Sequence, residues 1–137
     1  MSGKQNSFQA LEERLSFLGI AATQKRDLHN IMPVITDSLS SSLDSFYNKA
    51  KTVPHPAKFF ANDAHIAHAK SMQVKHWSRI ATGRFDEDYV KAVSAIGHTH
   101  AKLGLEPRWY IGAYALVVEG IVKALIENQL KGFLYDS

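Results

Sequence analysis

Apolar side chains recur every three or four positions along nearly the whole chain. Phe8, Leu11, Leu15 and Leu18 keep this spacing and stop at Gly19, which predicts a short amphipathic helix closed by a glycine. Leu28, Ile31, Ile35, Leu39, Leu43 and Phe46 continue the period. Pro33 interrupts it, so the pattern predicts one helix ending near Met32 and a second starting at or after Pro33, where a missing N–H costs nothing. Pro54-His55-Pro56 predicts a firm break. Asn62 or Asp63 can cap a helix running to about Thr82, stopped by Gly83, and Asp86 can cap the next, from Glu87 to about Leu103. Gly104 and Pro107 punctuate the junction, and Pro107 suits the first turn of a long last helix reaching at least Leu130. No segment alternates with β-branched residues, so the expected class is all-α.

The 137 residues fit one domain, and 45% hydrophobic against 21% charged residues is the balance of a globular core. Repeats and low-complexity blocks are missing. With no cysteine, disulfides, thiolate-bound metals and thiol nucleophiles are excluded, which leaves the seven histidines as the first candidates for metal chemistry. The longest uncharged run, Trp109 to Val118, is about half of what a bilayer crossing needs, so no membrane span is expected. The polar start Met1 to Ser7 has no apolar signal core, and a cytoplasmic location is the default expectation. The net charge of +3 is scattered among acids without forming a stripe, so no nucleic-acid partner is expected.

On a helical wheel centred on His100, Val93, Ile96, Leu103 and Gly104 fall close by, Gly97 lies at the edge of the arc, and His98 faces the other way. A histidine on an apolar face is commonly an ordinary core residue. The sharper reading is a neutral imidazole ligating a flat apolar cofactor, with Gly97 leaving room for a macrocycle. Earlier in the chain His65, His68, Met72 and His76 form a row. His68, Met72 and His76 have the spacing for a soft metal, yet no carboxylate joins them, and a partly solvated helix border is the expected reading. Tyr47 ends the stripe Leu39, Leu43, Phe46, Tyr47, which sends its hydroxyl towards the core, either to a backbone carbonyl or to a ligand across a pocket.

From Gly83 to Tyr114 the sequence closely resembles the haem-binding sensor globin of bacterial globin-coupled sensors. The family's run His-x-(Arg or Lys)-(Ile or Leu)-Gly-Leu-x-Pro-x-Trp-Tyr is matched by His100 to Tyr110, and the likeness extends to Leu15–Ile20, Leu43–Tyr47 and His76-Trp77. The resemblance implies a globin-like helical sandwich around haem b, with an additional N-terminal helix and a shortened C-terminal end. It implies His100 as the proximal iron ligand and Tyr47 as the distal donor to oxygen. Tyr110 is the implied partner that fixes the proximal imidazole's ring and tautomer, and Trp109 the residue packing on the haem edge. Ala69 and Met72 fall where the family lines the distal pocket. Phe46, Val93, Ile96, Gly97 and Leu103 complete the expected cofactor contacts. The methyl and thioether at Ala69 and Met72 offer no second hydrogen bond to a ligand.

In the last helix Glu119, Lys123, Glu127 and Lys131 form a charged ribbon, and the surrounding apolar surface exceeds one buried face. Homodimerisation into a helical bundle is therefore expected, as the family implies. Family members continue into an effector such as a cyclase, kinase or chemotaxis transducer, so the whole chain is expected to be the sensor domain of a longer parent. The expected function is non-catalytic sensing of oxygen, with carbon monoxide and nitric oxide as further diatomic ligands. The competing classes are a haem enzyme, such as a peroxidase or nitric-oxide dioxygenase, and a cofactor-free helical interaction module. The first would want a distal acid–base residue.

Overall fold

A computed structural model describes residues 2–60 and 62–135, with side chains from residue 7 onward; Met1, Ala61, Asp136 and Ser137 lie outside it. The described residues form seven helices: α1 (Ser2–Phe17), α2 (Ala22–Asn30), α3 (Met32–Ala50), α4 (Pro54–Ala57), α5 (Asp63–Ala81), α6 (Glu87–Leu103) and α7 (Pro107–Tyr135). No strand occurs among them.

The helix limits follow local chemistry. The Asn62 side chain accepts the His65 N–H and the Asp86 side chain accepts the Tyr89 N–H, each at 3.0 Å. Such caps contribute about 1 kcal/mol each. Gly83 leaves α5 with φ +69°, and a methyl group there would collide with the Lys25 carbonyl, so glycine lets the chain turn tightly against α2. Gly104 has φ +71° and turns the chain out of α6, so that Tyr110 in the first turns of α7 reaches back to His100. Pro33 sits in the first turn of α3, which begins one residue before it. Pro54-His55-Pro56, expected as a break, is instead the single helical turn α4, because both prolines occupy first-turn positions that need no N–H donor.

Helix α3 is central and packs against α5 and α7. Its stripe Ile35, Leu39, Leu43 and Tyr47 joins Trp77 and Ala81 of α5 and Val117 and Ile121 of α7 in one core. Leu39 and Leu43 are completely enclosed, each contributing about 1.5–3 kcal/mol of apolar burial. Gly120 allows α7 to lie directly on Ser42 of α3, where a larger side chain would strike the serine. Outside the core, the Lys70 ammonium bonds Asp44 at 2.7 Å and Ser40 at 3.0 Å, linking α5 to α3 at the surface.

By length and composition alone α7 could cross a membrane, an 18-residue stretch of it having a mean hydropathy of 1.5. In this fold, however, Val117 and Ile121 pack into the protein core, and Glu119 and Lys123 pair on the helix surface at 2.9 Å.

Candidate cofactor site

Helix α6 carries the first half of the site. Acidic Glu87 and Asp88 occupy its first turn and Lys102 its last, both favourable to the helix dipole, and His100 lies in that same last turn. No residue of α6 is buried. His100 and Ile96 are half-buried, whereas Val93 and Leu103 are exposed, Leu103 at 56%. Val93 also opens onto a groove of about 560 Å³ between α1 and α6, lined by Leu11, Leu15, Leu18 and Tyr89. A side chain at Gly97 would meet open space. The expected apolar face is therefore only partly covered by protein, a surface that a flat apolar group would fit.

The His100 ring stacks on Tyr110 from the first turn of α7, with centroids 5.0 Å apart and planes 22° apart. Contact between rings, and no hydrogen bond from the phenol, holds this imidazole's plane. Burial lowers its pKa, so the neutral ring with a free lone pair is favoured. His98 faces away and bonds the Ser94 carbonyl at 2.7 Å through Nδ1.

The second half is built on α3. Tyr47 is 4% exposed, packed against Phe46 at 4.8 Å and edge-on against Phe60 at 5.3 Å. Its hydroxyl has no hydrogen-bond partner among the described residues, and burial pushes its pKa up to about 12. Among the described residues no backbone carbonyl accepts from this phenol. Ala69 packs half-buried beside the same core, and Met72 is 49% exposed on the next turn. No hydrogen bond or ring contact among the described residues joins the Tyr47 and His100 groups.

His76 departs from expectation. Expected at a solvated border, it is 5% exposed, and its Nε2 shares a 2.6 Å hydrogen bond with the Tyr114 hydroxyl. Its Nδ1 is buried without a partner. Burial lowers its pKa, followed by the charges of Arg79 and of His100, which places the two imidazoles in electrostatic reach. The row His68, Met72, His76 is thus divided between solvent and interior, and no cluster of three metal-binding acids or histidines occurs among the described residues. Trp109 stacks on His55 of α4, centroids 5.1 Å apart, with its indole N–H buried and unpaired. Sequence reasoning missed His55, Phe60 and the role of His76. The seven-residue interval from Ala69 to His76, two helical turns, is the signal that could have shown His76 on the same side of α5.

Comparison with known proteins decides the lineage. The protoglobin family model matches residues 8–132, nearly the whole described chain. The chain belongs to the protoglobin family. Its all-α architecture is accordingly the globin fold, and the resemblance to a sensor globin read at His100–Tyr110 holds. The chain of this protoglobin is similar to the "Heme-based aerotactic transducer HemAT" of Halobacterium salinarum, at 28% identity over 116 residues, covering 84% of this chain and 24% of the transducer. The chain therefore spans about a quarter of the length of that relative.

Proposed function

We propose that this chain is the haem-based oxygen-sensing domain of a longer cytoplasmic signalling protein. The observations that carry this are a half-buried His100 on an apolar helix face, stacked on Tyr110, and a buried Tyr47 packed on Phe60, in a chain that the protoglobin model matches over residues 8–132. The donor set fits haem b: one imidazole nitrogen, apolar walls, space at Gly97 and a phenol donor. Haem held here supplies an iron that takes up diatomic gases reversibly.

His100 would hold the iron through an imidazole nitrogen, and the Tyr110 ring keeps the imidazole plane from turning. Ile96, Gly97 and Leu103 line the His100 side, with Val93 at the groove edge. Phe46, Ala69 and Met72 line the Tyr47 side and offer no acid or base. Trp109, stacked on His55, closes the border at the start of α7. With its pKa pushed up to about 12, Tyr47 remains a donor throughout the physiological range. Its hydroxyl would favour oxygen over carbon monoxide as ligand, and it is a poor proton shuttle. These features support sensing over peroxidase or dioxygenase chemistry, and the transducer relative supports the same side.

The signal leaves through α7. Val118, Val122, Ile126, Leu130, Phe133 and Leu134 are exposed along it, an apolar surface suited to a second copy of the chain in a helical bundle. The effector would lie in the remainder of the parent protein. Titration with haemin tests the reading. A Soret band should appear with one equivalent and be lost in His100→Ala; a folded chain that ignores haemin would make it a cofactor-free helical module.

A further inference from the structure

Tyr47 lacks a polar tether, yet the preference proposed above needs its hydroxyl in a fixed place. The side chain turns about two torsions, and its backbone is fixed within α3 between Leu43 and Ala50. Phe46 touches the ring at 4.8 Å with a 57° tilt, but it is the preceding residue on the same helix and moves with Tyr47. Phe60 differs because it comes from the segment following α4. There, successive turns bond the Phe59 N–H to the Pro56 carbonyl and the Phe60 N–H to the Ala57 carbonyl, each at 3.1 Å, and Pro56 is buried. Phe60 meets the Tyr47 ring edge to face, 5.3 Å between centroids and 89° between planes. That is the favoured geometry for two aromatic quadrupoles and resists sliding or rotation of the phenol.

We infer that Phe60 is the positioning residue for Tyr47, holding the phenol ring in the orientation from which its hydroxyl donates to bound oxygen and thereby setting the oxygen over carbon monoxide preference. Phe60 supplies no polar group of its own. It acts through the ring it supports, and the segment after α4 becomes an element of ligand selectivity. Burial of the phenol, which holds its pKa near 12, is consistent with this packed arrangement. The inference rests on the haem reading of the site.

The test is a double-mutant cycle on the haem-loaded chain, using oxygen and carbon monoxide dissociation rates and the infrared stretch of bound carbon monoxide. Tyr47→Phe and Phe60→Ala should each raise oxygen dissociation by about threefold to tenfold, with carbon monoxide dissociation changed by less than about twofold. In the Tyr47→Phe background, Phe60→Ala should add almost nothing. The carbon monoxide stretch, a single band in the parent, should broaden or split in Phe60→Ala as the phenol samples several orientations. Phe60→Leu, which keeps most of the volume but removes the ring edge, should show the same pattern at smaller amplitude, and it decides the matter should the alanine variant fail to fold. Equal acceleration of both gases, or an unchanged Phe60 effect without the Tyr47 hydroxyl, would overturn the inference. So would a silent Phe60 substitution beside an active Tyr47→Phe. A silent Tyr47→Phe would instead remove the oxygen-donor reading itself.

Discussion

His76 of α5 and Tyr114 of α7 share a 2.6 Å hydrogen bond inside the protein, and the Tyr114 ring also packs on Trp77 at 5.2 Å. This polar link joins the helix proposed to line the Tyr47 side of the site to the helix proposed to pass the signal on. Tyr114→Phe leaves His76 Nε2 buried without its partner, and should cost about 1–3 kcal/mol in denaturant unfolding. A loss below about 0.5 kcal/mol would show that water replaces the hydroxyl.

The same histidine sets a pH dependence. Burial lowers its folded pKa below the ordinary value of 6.5, and the neighbouring Arg79 and His100 charges act in the same direction. Below pH 6.5 the unfolded chain takes up a proton that the folded chain resists, so stability is full above that value and declines as the pH falls. His100 has the same sign. Unfolding free energies of the apo chain between pH 7.5 and 5 should fall with acid, less steeply in His76→Gln. An unchanged slope in that variant would locate the proton uptake elsewhere.

Tyr47 gives the opposite expectation. Its phenol is raised to about 12, so the protonated donor persists from acid to beyond pH 9. Oxygen dissociation from the haem-loaded chain should be flat from pH 6 to 9 as far as Tyr47 is concerned, and Tyr47→Phe should speed autoxidation at every pH. A steep alkaline rise in dissociation that vanishes in Tyr47→Phe would show a phenol ionising far below that value.

Packing between α3 and α7 is tested at Gly120. In an open helix, replacing glycine by alanine gains about 1 kcal/mol. Here the new methyl group meets the Ser42 side chain, and overpacking of this kind costs about 1–3 kcal/mol. Gly120→Ala should therefore be destabilising on balance, and Ser42→Gly should recover part of the loss in the double variant. Additive losses in thermal melts would mean that the helices shift apart instead. At the centre of the same core, Leu43→Ala should cost about 2–5 kcal/mol, since Leu43 has 0% exposure and no path to solvent.

Much of the frame was legible from the chain. Gly19, Gly83, Gly104, Asn62 and Asp86 announce helix ends through backbone freedom and side-chain capping, which are local properties. His100 stood out because residues on one helix define its apolar surroundings. Burial was less legible, because periodicity shows which side is apolar and not what covers it: α6 carries the expected stripe yet buries none of it. His76 and Phe60 escaped for a related reason. The partner of His76 is Tyr114 and that of Phe60 is Tyr47, each on another element, and no local spacing encodes such a meeting. The prolines of α4 misled because the same residue that interrupts a helix also begins one.

The exposed surface of α7 yields the remaining prediction. Val117 and Ile121 already commit one side of the helix to the core, while Val122 and Ile126 lie 45% and 55% exposed on another. Leaving such a stripe in water wastes roughly 25 cal/mol for each Å² of apolar area that a second copy would cover. Carboxylates at these positions remain solvated in a single chain, so Val122→Glu with Ile126→Glu should alter monomer stability little. In a symmetric dimer each substitution places a charge in the interface twice, and dissociation should follow. Sedimentation equilibrium at micromolar concentration should show a dimer for the parent haem-loaded chain and a monomer for the double variant, with the Soret band unchanged in both. A parent that sediments as a monomer would refute self-association through α7, and a variant that remains dimeric would move the interface to another face.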